Sequence, residues 1–247
     1  MTTTRRANPT YYDGDLRRDL LDTALELVAQ EGPSAVSLRS LARRLGVSHA
    51  APANHFPDKA SLFTAIAIEG FRLLAAAIED GARRLGPDAT AGQRFRAAGH
   101  AYTSFAIAHP AHFAVMWQRD LLHQDDPELA AAGDTTFELL LQGVRDAQAE
   151  GWAPGGDPQT VALLAWSVVH GLAALWLGGS LQRAQRPFDE IAGEVGALLG
   201  GALGARPDPT TAREGTACTA TTGPAPPSSS HVPPTPGSAS ATPSGPW

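Results

Sequence analysis

One stretch, SLRSLARRLGVSHAAPANHFPDK from Ser37 to Lys59, limits what this chain can fold into. Leu38, Leu41, Ala42 and Leu45 recur at i, i+3, i+4 and i+7, which places them on one apolar helical face. Ser37 stands where an N-cap belongs, and Gly46 where a helix stops by entering the left-handed region. Val47 returns to the core, and Ser48 is placed to cap a second helix over about 48–56. Ala42 and Gly46 lack bulky side chains, so two helices can cross closely there. The spacing predicts a helix-turn-helix.

Such a unit lays its second helix in a DNA major groove, with the N-terminal part against base edges. Ser48, His49, Ala50, Ala51, Asn54 and His55 are the groove-side candidates. Ala50 and Ala51 are short enough for close approach and offer methyls to thymine, and Asn54 can pair bidentately with adenine. Pro52, at the fourth helical position, forfeits only the first intrahelical hydrogen bond. Phosphate contacts are expected from Arg39, from Lys59 and from the N–H groups at the two flanking helix N-termini. Charge agrees: Arg39, Arg43, Arg44 and Lys59 face Asp58 alone, a local net of +3 in a chain whose total is −6. A basic module on an acidic body suits a DNA reader with a separate regulatory part, although an ordinary solvated helix face carries the same charges.

The elements Leu38-x-x-Leu41-Ala42, Leu45-Gly46-Val47-Ser48 and His55-Phe56-Pro57-Asp58-Lys59-x-x-Leu62-Phe63 together resemble the DNA-binding domain of the TetR-type transcriptional regulators over about residues 15–72. Trp166-x-x-x-His170-Gly171, with Ser48-His49-Ala50-Ala51-Pro52, is similar to a subgroup whose regulatory domain carries a Trp-His-Gly signature. The resemblance implies an all-α protein with a three-helix DNA-binding domain, a helical ligand-binding and dimerisation domain, and a role in transcription. It implies that Lys59 touches the DNA backbone. Many such regulators have a backbone-contacting tyrosine where this chain has Ala53, which puts that contact in doubt.

The remaining sequence divides readily. Residues 1–14 are a polar arm whose Arg5 and Arg6 are either solvated or able to reach a minor groove. Residues 15–75 make the DNA-binding domain, 76–204 the helical ligand-binding and dimerisation domain, and 205–247 a tail. Nine helices are expected, over about 15–32, 37–46, 48–56, 58–85, 91–108, 111–122, 127–151, 158–178 and 187–203. No stretch alternates with period two, so no sheet is expected. The tail holds ten of the twenty prolines, and its Pro-, Ser- and Thr-rich composition predicts disorder. The opening MTTTRRANPTYYDGD has no apolar core, so it is not read as a secretion signal. Cys218 is the only cysteine, which excludes an intrachain disulfide and fits a reducing cytoplasm. The apolar run 160–178 contains Trp and His and reads as a core helix, so no membrane partner is expected.

The body carries aromatic, Met and His side chains on apolar helical faces, the lining of a small-molecule cavity or of an ordinary helical core. His100, Phe105, Met116, Trp117, Trp166 and His170 are the ligand candidates, for a small apolar or aromatic effector. His170 is either a ligand contact or a core histidine. His109 and His112 have i, i+3 spacing, but Pro110 breaks the helix between them. No His-Glu-x-x-His, Glu-x-x-His or phosphate loop occurs, so no metal, cofactor or enzyme activity is expected. Leu164, Val168, Leu172 and Leu175, with Ile191, Val195 and Leu198, can form a four-helix interface across a two-fold axis. Two recognition helices roughly 34–36 Å apart would then read a palindromic operator in double-stranded DNA. The expectation is a homodimeric repressor released from its operator by the effector. The alternative is a DNA-binding protein switched by a protein partner.

Overall fold

The computed structural model describes residues 13–204. They form eight α-helices: α1 (Asp13–Glu31), α2 (Leu38–Leu45), α3 (Lys59–Arg84), α4 (Ala91–Ala108), α5 (Pro110–Met116), α6 (Pro127–Ala149), α7 (Pro158–Leu177) and α8 (Phe188–Gly204). Short 3-10 turns lie at Pro33–Ala35, Ala51–Asn54, Arg119–Leu121 and Gln182–Ala184. There is no strand among the described residues. The N-terminal arm with Arg5 and Arg6, and the tail with Cys218, lie outside the described residues.

The helix starts are chemically marked. Ser37 accepts from the Ser40 N–H while the Ser40 hydroxyl accepts from the Ser37 N–H, a reciprocal capping box. Thr90 and Gln93 do the same for α4, and Asp58, Asp126 and Asp157 cap α3, α6 and α7. Pro110, Pro127 and Pro158 open their helices, where a missing N–H loses nothing.

α3 is the axis of the molecule and packs against α1, α4, α5 and α6. Leu62, Phe63, Ile66 and Leu74 on it are fully buried, each stabilising the fold by roughly 1.5–3 kcal/mol. Gly70 of α3 sits under Met116 of α5: a Cβ there would lie 2.5 Å from the Met116 sulfur. One core runs from Leu20 and Leu41 through α3 to Phe105, Phe113 and Met116. By length and composition α3 and α7 could each cross a bilayer. α3 instead forms the core, and α7 buries only Val161, Ala162, Ala165 and Ala173.

Two expected helices differ. The sixth, expected over 111–122, stops at Met116 and resumes only as the Arg119–Leu121 turn. The third, expected over 48–56, is a 3-10 turn of four residues whose N-cap is Ala50, not Ser48, with no side-chain cap. Pro52 is the cause. It has no N–H to close a bond to Ser48, and the Ala51 N–H takes the Ser48 carbonyl in its place. Ala53 and His55 then also bond three residues back, to Ala50 and Pro52. The proline therefore changes the helix type rather than removing one bond.

Candidate nucleic-acid interface and effector site

The α2 turn is built as its sequence requires. Gly46 has φ +67°, and Val47 donates to the Ala42 carbonyl, five residues back, as in a Schellman stop. A Cβ on Gly46 would touch nothing, so glycine is needed there for its backbone and not for close packing of the two helices. Arg39, Arg43, Ser48, His49, Ala50, Ala53 and Asn54 are exposed, whereas Ala51 and His55 are half-buried. Pro52 and Phe56 are buried and anchor the turn, and the Arg17 guanidinium lies 5.2 Å over the Phe56 ring. Arg44 pairs with Glu31 at 3.0 Å.

Two phosphate candidates look different in three dimensions. The Lys59 ammonium donates to the Pro33 carbonyl at 2.9 Å and lies 5.1 Å over the Phe63 ring. An ammonium has three N–H groups, so two remain for a phosphate. The α3 N-terminus, expected to be open to an anion, is held by the Asp58 carboxylate, which accepts from the Ser61 N–H at 2.7 Å. That bond, with those from the Ser61 hydroxyl and His123, holds Asp58 below the usual carboxylate range. A phosphate approaching there meets a negative charge.

The body grips this end of α3. His123, between α5 and α6, lies with Nε2 3.0 Å from Asp58 Oδ1 and 3.2 Å from the Ser61 hydroxyl. Its backbone N–H donates to the Thr64 hydroxyl at 2.9 Å. Further along α3, Arg72 pairs with Glu128 of α6. A cleft of about 450 Å³ opens beside these contacts, lined among others by Arg17, Phe56, Ile68 and His123.

Of the ligand candidates, the structure gathers three. Trp117 lies with its ring centroid 5.3 Å from Trp166 and 5.1 Å from His170. Phe113, 5.2 Å from His170, and Phe71, 5.2 Å from Trp117, join them. Tyr102 completes the cluster, with its hydroxyl 2.8 Å from His170 Nδ1 and accepting from Trp166 Nε1 at 3.4 Å. Burial pushes the Tyr102 phenol up and the His170 imidazole down, so both are neutral near pH 7. In the sequence, Tyr102 and Phe113 are visible only as two more aromatics. Phe105 and Met116 are core residues elsewhere, Phe105 against His109 and Met116 against Gly70. His100, expected among the ligand contacts, is instead exposed on α4, with its Nδ1 3.1 Å from the Ser104 hydroxyl of the same helix. Its place on the outward face of α4 removes it from the cluster. Gly171 makes no close contact, since a Cβ there would meet nothing.

The dimer candidates lie on α7 and α8. Leu164, Leu175 and Leu198 are exposed, at 43%, 49% and 74%, with Leu163 and Leu177 also outward. Val168, Leu172, Ile191 and Val195 are half-buried beside them. No group of three or more His, Cys, Asp or Glu side chains that could hold a metal occurs among the described residues.

Known proteins share both halves of this arrangement. Residues 20–66 match the bacterial regulatory proteins of the tetR family, and residues 95–216 match the Tetracyclin repressor-like, C-terminal domain. The two matches together span more than half of the chain. The chain belongs to the TetR family. A protein of unknown function from Rhodococcus sp. RHA1 is 36% identical, matched over 80% of this chain and 100% of that one, with a TM-score of 0.69. A tetR-family regulatory protein from Rhodococcus RHA1 shares the fold at 22% identity and a TM-score of 0.64, over 77% of this chain and 98% of that one. A TetR family transcriptional regulator from Thermus thermophilus does so at 22% and 0.61, over 74% and 97%. No curated protein matches the chain. TetR-family proteins are DNA-binding transcriptional regulators, typically repressors, generally without enzymatic activity. Dimerisation and ligand binding are typical of them.

Proposed function

We propose that this chain is a homodimeric, cytoplasmic repressor that binds a palindromic operator and leaves it when a small apolar or aromatic effector enters the body. Residues 15–75 read the DNA and residues 76–204 bind the effector and dimerise. Ser48, His49, Ala50, Ala51, Asn54 and His55 meet base edges, while Arg39 and Lys59 meet phosphates. Leu164, Leu175 and Leu198, with their half-buried neighbours, supply the two-fold face. Trp166 and His170 belong to the Trp-His-Gly subgroup signature.

The observation that carries this reading is the pairing of two built sites by one helix. The exposed recognition turn ends four residues before the α3 N-cap Asp58, and α3 runs on to Phe71, which touches Trp117 of the aromatic cluster. A gel shift on the protein's own upstream DNA, at fixed moderate salt, tests it. Sequence-dependent binding as a dimer supports the reading, and binding indifferent to sequence removes it. The alternative, control by a protein partner, has its own support: Trp117, Trp166 and His170 fill the body's centre with their own rings.

A further inference from the structure

The aromatic cluster has a polarity that selects a ligand. The Tyr102 oxygen receives the Trp166 N–H at 3.4 Å and lies 2.8 Å from His170 Nδ1. If the imidazole donated at Nδ1, the buried phenolic hydrogen would have no acceptor. The direction that satisfies every group is Trp166 to Tyr102 to His170, so the neutral imidazole carries its hydrogen on Nε2. The relay thus ends in a donor. Trp117 Nε1 is a second: it is buried and has no hydrogen-bond partner in the protein. A buried N–H without an acceptor costs about 1–3 kcal/mol, and few native groups are left so. The two donor rings stand edge to face, 5.1 Å between centroids.

Among the described residues, no charged group shifts His170 or Tyr102. Burial alone lowers His170, and burial opposed only by the Trp166 bond raises Tyr102. An ionised ligand would lose its hydration here with no opposite charge in return. Phe71, Phe113 and Trp166 offer flat apolar surface.

We infer that the effector is a neutral, flat aromatic or polycyclic molecule bearing a carbonyl oxygen, which accepts from Trp117 Nε1 and His170 Nε2. This rests on the effector-released repressor reading and adds the ligand class to it. Carboxylic acids are excluded as ligands at neutral pH, and pure hydrocarbons are held only by shape.

Three probes of one shape test it: 2-acetylnaphthalene, 2-ethylnaphthalene and 2-naphthoate. Their Kd values for the full chain are measured by tryptophan fluorescence titration and checked by equilibrium dialysis. The ketone should bind about tenfold tighter than the hydrocarbon and about a hundredfold or more tighter than the acid. Trp117→Phe should shrink the ketone's advantage over the hydrocarbon while the hydrocarbon still binds. Equal binding of ketone and hydrocarbon, tighter binding of the acid, or no binding of any probe overturns the inference. A gel shift on the same preparation separates the two readings. Intact operator binding without ketone preference sinks the ligand class alone, and ketone preference without sequence-specific DNA binding sinks the repressor reading alone.

Discussion

Lys59 holds two posts, and a pair of substitutions separates them. Its ammonium closes the Pro33–Ala35 turn through the Pro33 carbonyl and lies over Phe63, half-buried. A hydrogen bond from a charged donor contributes about 1.5–3 kcal/mol at best, and a partly exposed cation–π contact about 0.5–1 kcal/mol. Solvent screening takes back part of both, so Lys59→Ala should lose about 2 kcal/mol of stability. For a folded unit of this size that lowers Tm by about 4–8 °C at fixed protein concentration. The same substitution removes one phosphate contact. The slope of log K against log salt should fall in magnitude by about 0.9, evenly across sequences. Arg39→Ala is the control: the side chain is exposed, so stability should stay within about 0.5 kcal/mol of parent while the slope drops equally. Melting curves, and gel shifts between roughly 50 and 200 mM salt, measure both. A lowered Tm with an unchanged slope would show that Lys59 only braces the turn. Parental values of both would refute the whole account of this residue.

Asn54→Ala should relax preference at particular base pairs, by about 1–3 kcal/mol at the position read, while leaving the salt slope alone; a full set of operator variants shows which. Leu175→Glu with Leu198→Glu should convert the dimer to monomer in sedimentation, and a dimer that survives rejects the α7–α8 face. Stability should fall as pH drops through about 6.5 towards 5.5. Burial depresses His112 and His170, so the unfolded chain binds more protons there, and each contributes at most about 1.4 kcal/mol per pH unit. Denaturant curves at about pH 7.5 and 5.5 should differ, and His170→Gln should narrow the gap. His123→Ala should leave probe binding intact but weaken probe-induced release from DNA; unchanged release means the α5–α6 loop carries no coupling.

The sequence is most readable where the physics is local. Ser37, Asp58, Thr90, Asp126 and Asp157 stand at helix starts because a side-chain oxygen meets an N–H three residues on, a relation visible in one dimension. The apolar stripe of α3 is legible for the same reason. The recognition turn is not. On spacing alone Pro52 costs one hydrogen bond, but the Ser48, Ala50 and Pro52 carbonyls each come to accept from the N–H three residues on. Lys59 reaching back to Pro33, and Tyr102 meeting His170, join residues 26 and 68 apart, and only the packing of α3 and of α4 on α7 brings them together. His100 is Tyr102's near neighbour in sequence, yet two helical steps turn it to the opposite face.

The same packing limits how an effector can act. α3 spans about 39 Å, from the recognition turn into the body, and is held at its start and at its middle. At the middle Phe71 touches Trp117, and at the start His123 holds the Asp58 cap. Trp117 and His123 lie six residues apart on one short segment, broken only by the Arg119–Leu121 turn. A displacement of the Trp117 ring therefore reaches α3 twice, directly at Phe71 and through the loop at Asp58, four residues from Asn54. Moving such a pair of states from about 1:99 to 99:1 takes a ligand that prefers one of them by about 10⁴-fold. Only contacts that differ between the states supply that preference. The donor at Trp117 Nε1 is such a contact if its ring turns on binding. A molecule that fits around Trp117 without moving it shifts nothing, however tightly it is held.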